Sequence, residues 1–424
     1  MTRKIVLSTL GSLGDLHPFI ALGLALQARG LAPVVATSAV HRDRVEGAGL
    51  PFFAVRPDQD EALRQLGLTL AEAAQKAIAD DRFVLRMMQP FLAESFRDLC
   101  EIVKGADLVL AHRIAFAAKC AAEKLGVPQV DVVLSPSLLF SAYDPPHGWP
   151  LPFVRAPSRF GRGWNRGLGR LAHGALRPLT RPARAFRAEI GLPANGDIPF
   201  LRDSVAVATL GLFSPLLAEA APDHPPGLAL VGSTFHDGVA APPDAEIEAF
   251  LAGGDALVFT LGSIAALGGA AILRGAIEAA RRLGRRVLVI AGRDDARELG
   301  VAPDENVLIR GYAPHSAVFS RAAAILHHGG AGTSAQALRS GRPQMIVPLF
   351  ADQPDNAARV ARLGVARVLP RRRFSTARAE RDLRALLEQP AYGQRAREVA
   401  AAIALEDGAA EAARIVERLC AARR

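Results

Sequence analysis

Twice along the chain, short apolar runs rich in Val, Ile and Leu stop at small or polar turns and give way to helical patterns. The first series opens with Lys4 to Thr9, read as a buried parallel strand, and a helix over Pro18 to Ala28 that Gly30 ends. A strand over Ala32 to Thr37 follows, then strands at Asp107 to Ala111 and Gln129 to Leu134 with the helix Ala115 to Leu125 between them. The second series begins at Ala256 to Thr260. It runs through strands at Arg286 to Ala291, Val307 to Ile309, Ala323 to Leu326 and Gln344 to Pro348, each with a helical pattern after it. Such alternation with short loops predicts α/β architecture, a doubly wound parallel sheet in each series.

A length of 424 residues suits two domains at roughly 100–200 residues each. Between the series lies a Pro-rich stretch, Ala221-Pro222-Asp223-His224-Pro225-Pro226-Gly227, and then a Gly/Pro cluster from Gly238 to Pro243. The expected division is an N-terminal domain over 1–220, a linker over 221–243 and a C-terminal domain over 244–405. A terminal helix over 406–424 could pack back on the N-terminal domain. Two facing Rossmann-like domains of this kind place a ligand cleft between the carboxyl ends of their sheets.

With 50% hydrophobic and 22% charged residues, the chain is too apolar for disorder and too charged for a membrane bundle. No run of 18 apolar residues occurs, and the apolar stretch Ile5-Val6-Leu7 is too short for a signal peptide. Cys100, Cys120 and Cys420 are scattered, without CxxC spacing, so neither a zinc site nor a disulfide framework is expected. Three unpaired thiols suit a reducing cytoplasm.

The net charge of +9 has a local source, because Leu151 to Arg187 carries nine Arg and no acidic residue. From Arg155 to Arg170 the basic residues recur every three or four positions, with Phe160, Trp164, Leu168 and Leu171 interleaved. The spacing suits a basic amphipathic helix, either resting on an anionic membrane surface or forming a solvated face of an inserted helix. Nucleic acid is not expected, since stacking aromatics are few and no nucleic-acid-binding motif occurs.

Four stretches where loops follow strands concentrate chemistry. Gly11-Ser12-Leu13-Gly14-Asp15-Leu16-His17-Pro18 lets backbone approach a ligand and sets a carboxylate at the loop mouth, where Asp15 could equally cap the helix. It lacks both the Walker and the dinucleotide spacing. In Leu261-Gly262-Ser263 an amide and a hydroxyl can reach a phosphate. His327-His328-Gly329-Gly330-Ala331-Gly332-Thr333 frees amides at a helix N-terminus for an anion, and an imidazole can add a hydrogen bond. Asp352-Gln353, followed by Pro354-Asp355-Asn356, packs a carboxylate and carboxamides into a small space, which suits a polyhydroxylated ligand. One further carboxylate pair, Asp58-Gln59-Asp60, follows Arg56-Pro57 and reads as a helix start.

Tyr312-Ala313-Pro314-His315, the His328 to Thr333 run, Gly341-Arg342-Pro343-Gln344, Pro348 and Asp352-Gln353 together resemble the donor signature of family 1 glycosyltransferases. The N-terminal Gly-Ser-Leu-Gly-Asp-Leu-His-Pro resembles the opening of the branch that includes sterol, antibiotic-aglycone and rhamnolipid glycosyltransferases. The resemblance covers most of residues 4–55 and 255–370 and implies the GT-B fold. It implies an inverting, metal-independent hexosyltransferase with no cofactor beyond its co-substrate. A sugar, glucose or rhamnose, would move from a UDP- or dTDP-sugar to a hydroxyl of a small lipophilic acceptor such as a polyphenol, sterol or terpenoid, macrolide or hydroxy-lipid.

By the same resemblance, Tyr312 stacks on the base where plant relatives carry Trp, and the backbone of Ala313 reads the base edge. Ser263, His328, Gly332 and Thr333 match diphosphate contacts, with Gly330 in the turn and His327 supporting His328. Asp352 and Gln353 match the pair that holds the donor sugar's hydroxyls, and Gln336 stands where many relatives place a ribose-binding Glu. Ser135, Leu138, Phe140 and Tyr143 form the candidate acceptor wall, with a buried loop as the alternative. The acceptor hydroxyl must lose a proton as it attacks. Asp15 stands where many relatives place a His and is the expected base, His17 is the competitor, and His112 could assist. A nucleotide-sugar epimerase and a non-catalytic binding partner of another transferase are the rival readings.

Overall fold

A computed structural model describes residues 2–80, 82–147, 161–194, 196, 205–238, 245–262, 265–291 and 299–422. The chain divides into two compact units. The first comprises Met1–Leu68, Asp81–His236 and Asp407–Arg424; the second comprises Thr69–Asp80 and Asp237–Glu406.

The first unit is built on seven parallel strands among the described residues. They are β1 (Lys4–Ser8), β2 (Ala32–Thr37), β3 (Phe52–Ala54), β4 (Leu108–His112), β5 (Gln129–Val133), β6 (Ala208–Gly211) and β7 (Leu228–Leu230), in the order β3-β2-β1-β4-β5-β6-β7. The central strands are buried along their length because helices cover both faces, which is why they read as unbroken apolar runs. The first helix, Leu13–Ala28, starts five residues before Pro18. Pro18 has no amide to donate to the Gly14 carbonyl, and the Ser12/Asp15 capping box secures the first turn in its place. The Pro-rich stretch does not run free. It runs directly into β7 at the sheet edge, and its Asp223 accepts hydrogen bonds from Ser141 Oγ at 2.6 Å and the Ala142 amide at 2.8 Å.

The second unit holds six parallel strands among the described residues. They are β8 (Leu257–Thr260), β9 (Val287–Ile290), β10 (Val307–Arg310), β11 (Ile325–His327), β12 (Gln344–Ile346) and β13 (Ala366–Val368), in the order β10-β9-β8-β11-β12-β13. Helix Leu70–Ala79 lies within the span expected to belong to the N-terminal domain, yet it packs on helix Ala265–Arg282 of this unit. Its apolar face explains the placement, since Ile78 joins a core cluster with Leu273, Ile277 and Leu383. Burying one such side chain contributes ~1.5–3 kcal/mol. Conversely, helix Gly408–Ala421 packs on Leu13–Ala28, with Ala412, Ala413, Val416 and Cys420 in the core of the first unit. Among the described residues no helix is long and apolar enough to cross a membrane.

Candidate active site

In each sheet the strand order reverses at one place, between β1 and β4 in the first unit and between β8 and β11 in the second. Connections leaving two such neighbours depart in opposite directions and open a space beyond their carboxyl ends, where open α/β sheets bind ligands. Most of the sequence-predicted residues fall at these two places.

In the first unit, the loop after β1 is shaped around Asp15. Gly11 adopts a φ of 112°, and a Cβ there would lie 2.4 Å from Asp15 Oδ2. Asp15 Oδ2 accepts the Ser12 amide at 2.9 Å and lies 3.3 Å from Ser12 Oγ, while Ser12 Oγ accepts the Gly14 amide. His41 Nε2 sits 3.0 Å from the Gly11 carbonyl oxygen. A carbonyl only accepts, so that ring nitrogen is the donor. Desolvation pushes the Asp15 pKa up to about 6, against the Ser12 hydrogen bonds that lower it. Asp15 therefore caps the helix through Oδ2, which holds the loop in place. Gly11→Ala should displace this carboxylate and cut turnover by about 10²-fold, since misplacement of ~1 Å can cost that much. Steady-state rates beside unchanged far-ultraviolet dichroism check this, and near-normal rates would dissociate the loop from catalysis.

The other first-unit residues fare differently. The His17 ring packs edge-on against His236 at 5.6 Å between centroids. His112, at the end of β4, is only 3% exposed and lies against Phe19, with neither ring nitrogen hydrogen-bonded among the described residues. Burial lowers its pKa to about 4 despite the opposing pull of Asp131, so it is neutral and makes no bond to Asp15.

Of the acceptor candidates, Ser135 is buried with its hydroxyl 3.0 Å from that of Ser137, and Leu138 packs on a small cluster with Leu139 and Phe213. These two therefore serve the loop's own packing. Phe140 adopts a φ of 45°, which turns the chain toward Tyr143, and the Arg162 guanidinium stacks 4.5 Å over the Tyr143 ring. Arg162 belongs to helix Gly161–Leu176, whose Asn165 donates to the Ala142 carbonyl at 2.9 Å. Arg155 and Arg159 lie outside the described residues.

In the second unit, the loops after β8 and β11 lie side by side. Gly262 has a φ of 76°, and a Cβ there would meet His328 Cε1 at 3.0 Å. A Cβ on Gly330 would lie 2.4 Å from His328 Nε2, so both glycines make room for this imidazole. Desolvation lowers the His328 pKa to about 3, helped by His327 and His315, so the ring is a neutral donor. Its Nδ1 is buried without a hydrogen-bond partner among the described residues. Helix Ala331–Arg339 starts at Gly330, and among the described residues no side chain caps the amides of its first turn, which include Gly332 and Thr333. Ser263 lies outside the described residues.

His327 is spent inward. Its Nδ1 accepts the Gly329 amide at 3.1 Å, so Nε2 carries the proton and donates to Gln344 Oε1 at 3.0 Å. With the ring fully buried and its pKa lowered to about 4 by desolvation, it shapes the glycine turn and cannot touch a donor. Gln353 Oε1 accepts the amides of Leu349 and Phe350 at 2.8 and 3.2 Å, so only its amino group is left for a sugar hydroxyl. Asn356 Nδ2 donates both to the Gly329 carbonyl at 2.9 Å and to Asp352 Oδ2 at 2.7 Å. It ties the glycine turn to the Asp352 carboxylate, a role the sequence reading did not assign. The Asp-x-x-x-Asn spacing on one helix face was the available signal. Tyr312 is 52% exposed, while Ala313 beside it is buried. Gln336 Nε2 donates to Asp237 Oδ1 at 3.0 Å.

Two parallel-stranded α/β units, each with its strand order reversing at one place, form the architecture of the GT-B class of glycosyltransferase. Residues 5–143 match the N-terminal domain of glycosyltransferase family 28, and residues 276–419 match the erythromycin biosynthesis protein CIII-like C-terminal domain. O-mycaminosyltylonolide 6-deoxyallosyltransferase of Streptomyces fradiae is 31% identical over 98% of this chain and 97% of its own length. Vancomycin aglycone glucosyltransferase of Amycolatopsis orientalis is 31% identical over 85% of this chain and 84% of its own. The crystal structure of the kitacinnamycin glycotransferase superposes with a TM-score of 0.72 at 20% identity, covering 99% of both chains. The chain belongs to the antibiotic-type family 1 glycosyltransferases. It is a natural-product glycosyltransferase acting on nucleotide sugars.

Proposed function

We propose that the enzyme moves a hexosyl group, glucose or rhamnose, from a UDP- or dTDP-sugar to a hydroxyl of a small lipophilic acceptor, with inversion at the anomeric carbon. The observation that carries this is the glycine turn from His328 to Thr333, where an uncapped helix N-terminus and a neutral imidazole converge. Relatives named as a 6-deoxyallosyltransferase and an aglycone glucosyltransferase support a hexosyl donor and a natural-product acceptor. Polyphenols, sterols or terpenoids, macrolides and hydroxy-lipids are the acceptor classes to try.

In the proposed reaction Asp15 takes the acceptor proton as the acceptor oxygen attacks the anomeric carbon. The anomeric C–O bond breaks and the diphosphate leaves with the electron pair. His328 and the amides of Gly332 and Thr333 meet the growing negative charge, while Asp352 and the Gln353 amino group hold the sugar. No divalent cation is needed in this scheme, so EDTA should leave turnover unchanged. Incubation with UDP-glucose or dTDP-rhamnose, with and without a panel of phenols and hydroxy-lipids, tests the proposal. Nucleotide release that depends on acceptor is the expected result. Donor isomerisation without acceptor would make the enzyme an epimerase, and donor binding with neither reaction would make it a binding partner.

For the Arg-rich helix we propose a packed, solvated face, because Arg162 and Asn165 engage the loop around Tyr143 and Ala142. Trp164 and Leu171 nevertheless point outward, at 52% and 68% exposure. Vesicles of anionic lipid at low salt should leave the protein in the supernatant. Salt-sensitive co-sedimentation, lost on neutralising Arg162, Arg166 and Arg170, would make this helix a membrane contact instead.

A further inference from the structure

The loop that carries Asp15 is also held from a second direction. Strands β1 and β2 run side by side with Ser8 opposite Ala36, so the chains leaving them emerge together. After β2 the chain makes one turn of 3₁₀ helix, Ala39–His41, and the buried His41 donates through Nε2 to the Gly11 carbonyl at 3.0 Å. That turn has its own anchor. The His41 amide donates to the Ser38 carbonyl at 3.1 Å, and Ser38 Oγ donates to Asp58 Oδ1 at 3.1 Å. Asp58 precedes helix Gln59–Gln65 without capping its amides, so its carboxylate serves the His41 turn instead.

The Gly11 carbonyl and the Ser12 amide are two edges of one planar trans peptide, so they point in opposite directions. His41 grips one edge, and the other donates to Asp15 Oδ2 at 2.9 Å. Gly11 leaves that plane free to rotate, because no side chain restricts its backbone at a φ of 112°. With no donor on the carbonyl, the Ser12 amide and the carboxylate it holds would turn together. A hydrogen bond accepted by the carbonyl also polarises the peptide and strengthens its amide as a donor.

We propose that His41 is a positioning residue for the transfer reaction. Through the Gly11–Ser12 peptide plane it fixes where the Asp15 carboxylate stands in the loop after β1. This rests on the reading of Asp15 as the base, and it assigns His41 neither a substrate contact nor a proton transfer.

The test is acceptor-dependent nucleotide release from UDP-glucose or dTDP-rhamnose by His41 variants, alone and combined with Asp15→Asn, beside equilibrium binding of UDP or dTDP. His41→Leu should lower kcat about tenfold, the loss of one well-placed hydrogen bond, and leave nucleotide affinity within about twofold of wild type. His41→Gln carries an amide nitrogen to about the reach of the imidazole Nε2 and should restore kcat to within about threefold of wild type. The shorter His41→Asn should not. In an Asp15→Asn background, adding His41→Leu should cost less than about twofold, because a residue that acts through Asp15 then has nothing to position. If His41→Leu does not fold, His41→Phe keeps a ring without the donor and takes its place in the cycle. Wild-type kcat in His41→Leu, a full loss repeated in Asp15→Asn, an equal loss of nucleotide affinity, or no rescue by Gln overturns the role of His41 alone. Wild-type turnover in Asp15→Asn, or no acceptor-dependent release by wild type, overturns the underlying reading and this inference together.

Discussion

Asp15→Asn is expected to lower turnover by about 10²-fold or more while donor binding is unchanged. Asn preserves size and can still accept the Ser12 amide, so the loop should hold while the base is gone. With the Asp15 pKa near 6, wild-type kcat/KM should fall as pH drops below about 6, because the carboxyl then carries the proton it must accept. The variant should lose that limb of the profile. Stability should run the other way. The folded carboxyl titrates above its ordinary value of 3.8, so its stabilising contribution is complete below that value and is lost as pH rises through about 6. Asp15→Asn should therefore gain stability over wild type above pH 6 in thermal unfolding. A dead His17→Ala beside an active Asp15→Asn would exchange the two assignments.

His328→Ala should reduce turnover by about 10²–10³-fold, with a smaller effect on donor affinity. Negative charge grows on the diphosphate only as the anomeric bond breaks, so a donor aimed there acts mainly on the transition state. Because burial keeps the ring neutral, its contribution is one directed hydrogen bond in a site of low polarity, with no net charge. Single-turnover rates beside equilibrium binding of UDP or dTDP separate the two effects. A rate loss below about threefold would remove His328 from leaving-group stabilisation.

The sequence was most readable where chemistry is contiguous. The loops after β1 and β11 announce themselves because glycines, a capping hydroxyl and titratable groups must sit within a few residues of one another. The longer core strands were readable for a similar reason, being buried on both faces. Strands β3, β7 and β13 lie at sheet edges and are only partly buried, so they lack the apolar run that marks the equally short but buried β11 and β12, and β6 (Ala208–Gly211) has little apolar bulk. Partners brought from afar were invisible for a different reason. His41 reaches Gly11 across 30 residues, Asp223 reaches Ser141 across 82 and Gln336 reaches Asp237 across 99. Nothing local marks such residues, because their surroundings exist only after the sheets form. The support expected from His327 was legible only as adjacency; its form, Nδ1 accepting the Gly329 amide and Nε2 donating to Gln344, depends on a strand neighbour 17 residues away.

The exchange of segments between the units also bears on how the protein is made. Leu16, Ile20 and Leu22 emerge from the ribosome early, yet Ala413 and Val416, which share their core, are translated only after the whole second unit. The second unit needs nothing beyond Glu406, since Thr69–Asp80 is already waiting upstream. The order of completion therefore reverses the order of synthesis, and the first unit must keep apolar surface uncovered while the second folds. A chain released before Gly408 would hold a complete second unit and an incomplete first one, which is the point in the protein's life at which chaperones would find most to hold.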